Sequence, residues 1–246
     1  MKAIILTAGR GTRISRHIDD KPKCTVPLDG KTTLIEYTVA ALRRKHVDEI
    51  VIVLGYRGEV IRNLLGDHGI EYRTNPFYDV TNSIASLWFA RDTLEKNPDG
   101  TPCRFLLMNG DVYLSEEALD AVLSETRDPV MFYDVTRRAE ADYKFFCDGE
   151  RLVKYGKELS LEETTGEYVG CATFGCGFVD VFRQRLEGLI GSQQHTLWWE
   201  NVLYSMAADR PIIARDIASA FWGEVDYIED YQRIMEHHRN RAAAHG

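Results

Sequence analysis

The chain has 246 residues, of which 44% are hydrophobic and 28% charged, which is ordinary for a globular protein. Its 30 basic and 38 acidic residues give a formal net charge of −8, which argues against a general nucleic-acid binder. We expect neither a signal peptide nor a membrane span, because the apolar runs are too short for either.

Uniformly apolar runs dominate the first half of the chain, and they predict buried parallel strands at 3–7, 50–55 and 105–109. Helical periodicity predicts helices at 32–46, 58–65, 81–95 and 115–126. Thr33 with Glu36 forms a candidate capping box, and Ser115 is a candidate cap. Strands that alternate with helices indicate a doubly wound, mostly parallel α/β sheet, in which ligands bind beyond the carboxyl ends of the strands.

The pattern changes after about residue 130. Short strand-like pieces broken by turn residues predict an antiparallel meander, or lid, built from 130–135, 143–149, 151–157 and 167–178. Three further elements are predicted: a helix at 196–209, a strand at 211–217 and a C-terminal helix from near Asp226.

The cysteines at 24, 103, 147, 171 and 176 are scattered and show neither a CxxC pair nor metal-ligand spacing. This arrangement predicts reduced thiols and a cytoplasmic protein.

The segment AGRGTR, residues 8–13, follows the first strand and has glycines at positions 9 and 11. Glycine permits positive φ angles, so that backbone N–H groups can face an anion, and Arg13 adds a cation suited to phosphate. Because Ile14 stands where the last glycine of GxGxxG would be, a purely structural turn is the alternative interpretation.

Three charged residues further along the chain suit a phosphate site. Lys23 could return over the phosphates of the glycine loop, with a solvated surface lysine as the alternative. Asp111 ends an apolar strand in LLMNGDVY, where a carboxylate is well placed to hold a hard cation. Asp226 in WGEVDYIEDY is a second candidate ligand, although its local sequence slightly favours a helix cap.

The segments LTAGRGTR and PKCTVPLDGKTTLIEY resemble the signature of the nucleoside-triphosphate transferase family, whose members are nucleotidylyltransferases with a Rossmann-like core. Thr7, Thr25, Thr32 and Thr33 are mild departures from that signature. The segments NPFYDVTNSIASLWFARDTL, GEYVGCATF, WWENVL and GEVDYIEDY are similar to the branch that transfers cytidylyl groups to phosphocholine and to aminoethylphosphonate-like acceptors.

The resemblance implies a Mg²⁺-dependent transfer of CMP from CTP to a small phosphorylated amino alcohol or phosphonate, with release of pyrophosphate. It implies base contacts from Leu6, Thr7, Ala8, Gly9, Asn82 and Ser83. It implies triphosphate contacts from Gly11, Thr12, Arg13 and Lys23. It makes Asp111 and Asp226 the metal ligands, which overturns the capping interpretation of Asp226, and it assigns the catalytic roles to Arg13, Lys23 and Asp111.

The domain expected from the resemblance is Rossmann-like and covers 1–246. It divides into a nucleotide-binding core (1–130), an acceptor-binding portion (131–222) and a last segment with a metal-site strand end and the C-terminal helix (223–246). The expected partners are CTP and a small phosphate or phosphonate acceptor, with no nucleic acid and no membrane, and a homodimer remains open.

The two ends of such an acceptor need opposite charges. Lys144 and Lys157 are candidate cations for its phosphate or phosphonate, with exposed hairpin lysines as the alternative. Aromatic and acidic side chains suited to an ammonium group are Glu167, Tyr168, Trp198, Trp199, Glu200 and Trp222, although tryptophans more often pack in a core. Glu200 is the strongest candidate, because a buried carboxylate without a partner is costly.

Three alternative functions compete with cytidylyl transfer. A sugar-1-phosphate nucleotidylyltransferase is disfavoured by TNSIAS, which replaces a glutamine- and glycine-rich stretch. A nucleotide-sugar glycosyltransferase would use an Asp-x-Asp pair where this chain has NGDVY, and a non-catalytic nucleotide sensor need not keep both Asp111 and Asp226.

Since a phosphate monoester has a second pKa of about 6, the acceptor arrives ionised and no histidine base is expected.

Overall fold

The computed structural model describes residues 1–11, 18, 20–47, 49–101 and 103–245. Its strands are β1 (Lys2–Leu6), β2 (Glu49–Leu54), β3 (Ile70–Thr74), β4 (Arg104–Asn109), β5 (Val112–Leu114), β6 (Val130–Asp134), β7 (Lys144–Asp148), β8 (Arg151–Gly156), β9 (Gly166–Gly175), β10 (Ile213–Asp216) and β11 (Trp222–Glu224).

Helices are distributed along the whole chain. They are α1 (Leu34–Arg44), α2 (Gly58–Leu65), α3 (Ser83–Phe89), α4 (Glu116–Leu123), α5 (Cys176–Gly191), α6 (Asn201–Tyr204) and α7 (Ile228–His245). The predicted capping box starts α1, where the backbone N–H of Thr33 donates to the Glu36 carboxylate at 2.8 Å and the Thr33 side chain accepts from the backbone N–H of Glu36. None of the described helices is long and apolar enough to cross a bilayer.

The first half of the main sheet is parallel, as the sequence predicted. Its strand order is β3-β2-β1-β4, in which β3 was not predicted. In this register Leu6 lies beside both Val53 and Asn109, so the carboxyl ends of β1, β2 and β4 share one edge. The glycine loop and Asp111 follow β1 and β4, and both therefore emerge at that edge.

Side chains of β1 alternate between two apolar clusters, one on each face of the sheet. Ala3 and Ile5 belong to the first cluster, and Ile4 and Leu6 belong to the second. Burial on both faces explains why this strand is an uninterrupted apolar run.

The second half of the main sheet closes on itself. The described strands continue from β4 in the order β9-β6-β10-β8-β7, and β7 pairs back with β9. We call these five strands the strand ring. Within it β6 and β10 are parallel while the other pairings are antiparallel, so the predicted meander is present but closed by a non-local pairing. Its strands contribute the buried side chains of Met131, Phe145, Leu152, Tyr168 and Ala214 to the second apolar cluster.

Several predicted boundaries were wrong. The helix predicted at 81–95 is α3 followed by a 3-10 turn over Arg91–Thr93, and the strand predicted at 167–178 ends at Gly175. The helix α5, which begins at Cys176, was not predicted; its segment includes glycines at 177, 188 and 191, which weaken a helical pattern.

The helix predicted at 196–209 is reduced to α6, which is only four residues long. Backbone groups of the preceding segment bond to the start of α3 instead: the carbonyls of His195 and Leu197 accept from the N–H groups of Asn82 and Ile84, and the N–H of Trp199 donates to Ser83 Oγ. Tertiary hydrogen bonds therefore replaced the helical ones that periodicity predicted.

The prediction that all cysteines are reduced was wrong for one pair. Cys103 and Cys176 form a disulfide, with Cα atoms 5.2 Å apart. The antiparallel pairing of β4 with β9 sets Arg104 beside Gly175, which brings together two cysteines that are 73 residues apart in sequence. Cys24, Cys147 and Cys171 are free thiols.

Candidate active site

A cleft with a volume of about 360 Å³ lies at the carboxyl edge of β1 and β4 and extends to the strand ring. What we call its loop end is lined by Leu6, Thr7, Ala8, Gly9, Gly11, Lys23, Cys24, Tyr78, Thr81, Asn82, Ser83, Ser86, Asn109, Gly110, Asp111, Glu224 and Asp226. What we call its ring end is lined by Asp142, Tyr143, Lys157, Tyr168, Trp198, Glu200 and Tyr204.

Gly11 adopts a φ of +64°, in the left-handed region that favours glycine, and the Lys23 side chain passes directly over it. A Cβ atom at position 11 would overlap the aliphatic part of Lys23. The predicted loop and the predicted lysine are therefore packed together, and the glycine is required for that contact. Thr12 and Arg13, which were predicted to bind phosphate, lie outside the described residues.

Three carboxylates form an acidic cluster, Asp111, Glu224 and Asp226, whose oxygen atoms lie within 4.8 Å of one another. The antiparallel pairing of β5 with β11 sets Val112 beside Glu224, and the N–H of Val225 donates to the carbonyl of Asp111 at 2.9 Å. This short two-stranded sheet is what brings together residues from distant parts of the chain.

The Lys23 ammonium lies inside the acidic cluster, 3.2 Å from Asp111 Oδ2 and in direct contact with Asp226. Burial alone would lower the pKa of Lys23, but Asp111 and Asp226 outweigh it and hold that pKa above its usual value. Burial and the two aspartates raise the pKa of Glu224 well above its usual range. Three carboxylates facing one ammonium leave an excess of negative charge. All three offer oxygen atoms, which are the ligands that a hard divalent cation requires, so the cluster fits such a cation.

The predicted base-reading residues lie in the cleft at the start of α3. Asn82 Oδ1 accepts from the backbone N–H of Ser83 at 2.8 Å, and Ser83 Oγ accepts from the N–H of Trp199 at 2.9 Å. Both side chains are thus held by short-range and long-range hydrogen bonds beside residues 6–9.

Glu200 is a buried residue of the ring end and is held by a hydrogen-bond chain. The indole N–H of Trp199 donates to Asn109 Oδ1 at 2.8 Å, and Asn109 Nδ2 donates to Glu200 Oε1 at 3.2 Å. Burial raises the pKa of Glu200 to about 7. Trp199 fixes the orientation of the Asn109 amide, which in turn fixes the carboxylate.

An ion pair and several rings surround the mouth of the ring end. Lys157 Nζ lies 2.6 Å from Asp142 Oδ2 and 5.9 Å from the ring centroid of Trp198. The ring of Tyr143 meets the ring of Trp198 edge-on at 5.6 Å and lies parallel to that of Tyr204 at 6.0 Å.

Lys144, Glu167 and Trp199, which were predicted to bind the acceptor, do not line the cleft but support residues that do. Lys144 Nζ donates to the carbonyls of Lys157 and Leu159 at 3.1 and 2.9 Å, so its ammonium binds the backbone of the segment that follows β8. Glu167 accepts from Arg137 at 2.5 Å and from the N–H of Asp142 at 2.8 Å. Trp199 is fully buried, in agreement with the core-packing alternative.

Several cleft residues were not predicted from the sequence: Asn109, Asp142, Tyr143, Tyr204 and Glu224. A signal existed for Glu224, because it stands two residues before Asp226 in an extended segment, where alternate side chains share one side. Asn109 directly ends the same apolar strand that led to Asp111. No comparable signal marks Asp142, Tyr143 or Tyr204.

Residues 3–138, more than half of the chain, match the family of the MobA-like NTP transferase domain. The chain belongs to this family. It is a nucleotidyltransferase, as the resemblance of its opening motifs implied.

One relative extends the match over nearly the whole chain. The protein is 24% identical over 243 residues to the choline-phosphate cytidylyltransferase of Streptococcus pneumoniae (strain ATCC BAA-255 / R6), covering 96% of this chain and 97% of that protein. It is 38% identical over 97 residues to the CTP:phosphoglutamine cytidylyltransferase of Campylobacter jejuni subsp. jejuni, covering 39% of this chain and 38% of that protein.

Among solved structures, the inositol-1-phosphate CTP transferase from T. maritima has a TM-score of 0.76 with this chain at 21% identity. The match covers 97% of this chain and 96% of that one. At this level of identity the likeness shows the fold, and it confirms the predicted Rossmann-like α/β class.

Proposed function

We propose that the protein transfers a cytidylyl group from CTP to a small phosphorylated amino alcohol or aminoalkyl phosphonate, with Mg²⁺ as cofactor and pyrophosphate as the second product. The observation that carries this proposal is that one cleft joins a glycine loop and an acidic cluster to a buried carboxylate, Glu200. Such a cleft suits a triphosphate at one end and a positively charged acceptor group at the other. Because the cleft takes residues from Leu6 to Asp226, we also propose that 1–246 acts as one domain.

The loop end would bind the nucleotide. The backbone of residues 6–9, with Asn82 and Ser83, would contact the base, while Gly11 and Lys23 would contact the triphosphate, together with Thr12 and Arg13. Lys23 is suited to this role because its ammonium is already held in the cleft beside the loop.

Asp111 and Asp226 would hold the Mg²⁺, and Glu224 extends the predicted ligand pair to three carboxylates. A bound Mg²⁺ would neutralise charge on the α-phosphate and on the departing pyrophosphate. The chain's own contribution at this point is to keep three oxygen donors and the Lys23 ammonium within one small volume.

The reaction needs positioning and charge neutralisation more than proton transfer. A phosphate or phosphonate oxygen of the acceptor attacks the α-phosphorus of CTP and forms a new P–O bond. The bond from that phosphorus to the bridging oxygen breaks, and pyrophosphate leaves with the electron pair. Because the attacking oxygen is already ionised, the residues have only to bring two anions together and stabilise the charge that builds up between them.

The ring end would bind the acceptor. Lys157 is the cation there for the acceptor's phosphate, and Glu200 is the buried anion for its nitrogen. Tyr168 lines the same end, whereas Lys144, Glu167 and Trp199 would act only through the neighbours they hold. The names of the cytidylyltransferase relatives, which act on choline phosphate and on phosphoglutamine, support an acceptor that carries nitrogen.

Pyrophosphate release over a matrix of substrates tests this proposal. Four nucleoside triphosphates would each be paired with phosphocholine, phosphoethanolamine, 2-aminoethylphosphonate and glucose 1-phosphate, with Mg²⁺ or with EDTA. We expect release only with CTP, a nitrogen-bearing acceptor and Mg²⁺. Turnover confined to glucose 1-phosphate would instead establish the sugar-1-phosphate nucleotidylyltransferase that the sequence left as the alternative.

A further inference from the structure

Two buried tyrosine hydroxyls in the ring end of the cleft stand out. Tyr168 and Tyr204 are only 7% and 3% exposed. The Tyr168 hydroxyl lies beside the Glu200 carboxylate and the Tyr204 hydroxyl beside that of Tyr143, but neither makes a hydrogen bond of regular geometry within the described residues. Both residues line the cleft together with Glu200. Because a buried hydroxyl without a partner is costly, these two groups are suited to complete their hydrogen bonds with a ligand.

We propose that the nitrogen of the acceptor is a primary ammonium that donates hydrogen bonds to Glu200, Tyr168 and Tyr204, and that a quaternary ammonium fits this site poorly. This inference rests on the proposed function and specifies its acceptor: a primary aminoalkyl phosphate or phosphonate.

The number and type of polar groups favour a primary ammonium. An –NH₃⁺ group offers three N–H donors, and the site offers one carboxylate and two hydroxyls as acceptors. Asn109 fixes the carboxylate of Glu200 in place, so this hydrogen-bond acceptor is already oriented before any ligand binds. Each N-methyl group removes one donor, and a trimethylammonium has none.

Several rings at this end of the cleft already have a partner on one face. Tyr204 stacks on Tyr155 with centroids 3.8 Å apart, and Tyr168 stacks on Phe145 at 5.0 Å. The more exposed ring, Trp198, already has the ammonium of Lys157 on its face. A cation–π site requires the ligand cation over a ring face, so these tyrosines contribute their hydroxyls more readily than their faces.

The distance between the amine site and the acidic cluster favours a short acceptor. Asn109, which bonds Glu200, is the last residue of β4, and Asp111 follows two residues later. Cα atoms two residues apart are at most about 7 Å from each other. Neighbouring backbone positions thus support the amine site and the acidic cluster, which favours an acceptor with a short carbon chain between nitrogen and phosphorus.

An N-methylation series tests the inference. With saturating CTP, kcat/KM would be measured for phosphoethanolamine, its N-methyl and N,N-dimethyl derivatives, and phosphocholine. We expect a stepwise fall that reaches about 100-fold or more at phosphocholine, because a site built to bond N–H groups rejects analogues that lack them. Equal or better turnover of phosphocholine would overturn the inference and leave cytidylyl transfer intact. If neither the four members of the series nor 2-aminoethylphosphonate were turned over, the proposed function and this inference would both be contradicted.

Tyr168→Phe and Tyr204→Phe keep the rings and their stacking but remove the hydroxyls. We expect each to lower kcat/KM for phosphoethanolamine about tenfold and to leave the value for phosphocholine nearly unchanged, which narrows the selectivity ratio. Tyr155→Phe is the matched control, because Tyr155 stacks on Tyr204 without lining the cleft. Equal losses with both substrates would indicate a structural role for the hydroxyls and would contradict the inference.

Discussion

The two ends of the cleft are built differently. The loop end uses a glycine backbone, one lysine and three carboxylates, most of which directly follow β1, β4 and β11. The ring end uses a buried carboxylate, tyrosine hydroxyls and a surface ion pair, which come from β9, from the segment around α6 and from the loops next to β7 and β8. Charge at the loop end would serve any acceptor, whereas the ring end would discriminate between acceptors. Substitutions at the loop end should therefore affect turnover of every acceptor, and those at the ring end should affect selectivity.

The largest effect is expected for Asp111→Asn. The substitution removes a carboxylate from the acidic cluster, so we expect kcat with any acceptor to fall about 10³-fold or more, because metal stabilisation contributes several kcal/mol and each 1.36 kcal/mol is a factor of ten. Pyrophosphate release at saturating Mg²⁺ measures this loss. Asp67→Asn is the matched control, since Asp67 lies on the surface and pairs with Arg62. If Asp111→Asn kept near-normal rates while the control did too, Asp111 would be removed from the mechanism.

Lys23→Ala is expected to be the next most damaging change. Loss of one charge-assisted contact to the transferred phosphates lowers turnover about 10²-fold, equally for all acceptors. The substitution also leaves the three carboxylates without their ammonium, so added Mg²⁺ should raise the melting temperature of the variant more than that of the wild type.

The melting temperature gives a readout for Lys23 that does not depend on activity. Lys31→Ala, an exposed lysine outside the cleft, should show the wild-type response to Mg²⁺. A smaller Mg²⁺ effect in Lys23→Ala than in the wild type would contradict the view that lysine and metal balance the same carboxylates.

Glu200→Gln should change acceptor binding while leaving the nucleotide unaffected. We expect KM for an aminoalkyl acceptor to rise about 30- to 100-fold, because a hydrogen bond to a charged group is lost, with KM for CTP little changed. The pKa of Glu200 is raised to about 7, so the carboxylate is ionised above that pH and protonated below it. Acceptor KM of the wild type should therefore rise as the pH falls from 8 to 6.

Glu200→Gln separates the titration of the Glu200 carboxylate from that of the acceptor itself. Since the acceptor's phosphate titrates in both proteins, only the part of the pH dependence that disappears in Glu200→Gln belongs to the carboxylate. Identical profiles for the two proteins would show that Glu200 does not contact the acceptor's nitrogen.

The difference between the two ends also explains what could be predicted. Gly11 and Asp111 were predicted to lie together because each follows a strand whose uninterrupted apolar run identifies it, and because strand ends meet at one edge of a parallel sheet. Lys23 was predicted to join them because the polar segment after Arg13 could return over the glycine loop. The parallel core was predicted for the same reason. Glu224 was missed although its two-residue spacing from Asp226 was a usable signal.

The ring end could not be predicted in the same way. Its closure depends on the pairing of β7 with β9, and its turns depend on hydrogen bonds such as that from the N–H of Trp199 to Ser83 Oγ, which joins positions 116 residues apart. Hydrophobic periodicity reports only on residues that are close along the chain. It therefore predicted a helix at 196–209, where long-range hydrogen bonds instead hold turns around the short helix α6. Glu200 was predicted because its burial beside tryptophans was itself anomalous.

The smallest effects are expected for the two lysines of the ring end, and they test whether one acts through the other. Lys157→Met should raise acceptor KM about tenfold, because it removes the cation at the mouth of the cleft. Lys144→Met should raise it only about threefold, by loosening the carbonyls of Lys157 and Leu159 that Lys144 holds. If Lys144 acts only by positioning Lys157, the double variant should be no worse than Lys157→Met alone, since two steps in one interaction are not additive. Fully multiplicative losses in the double variant would mean that Lys144 reaches the acceptor by itself.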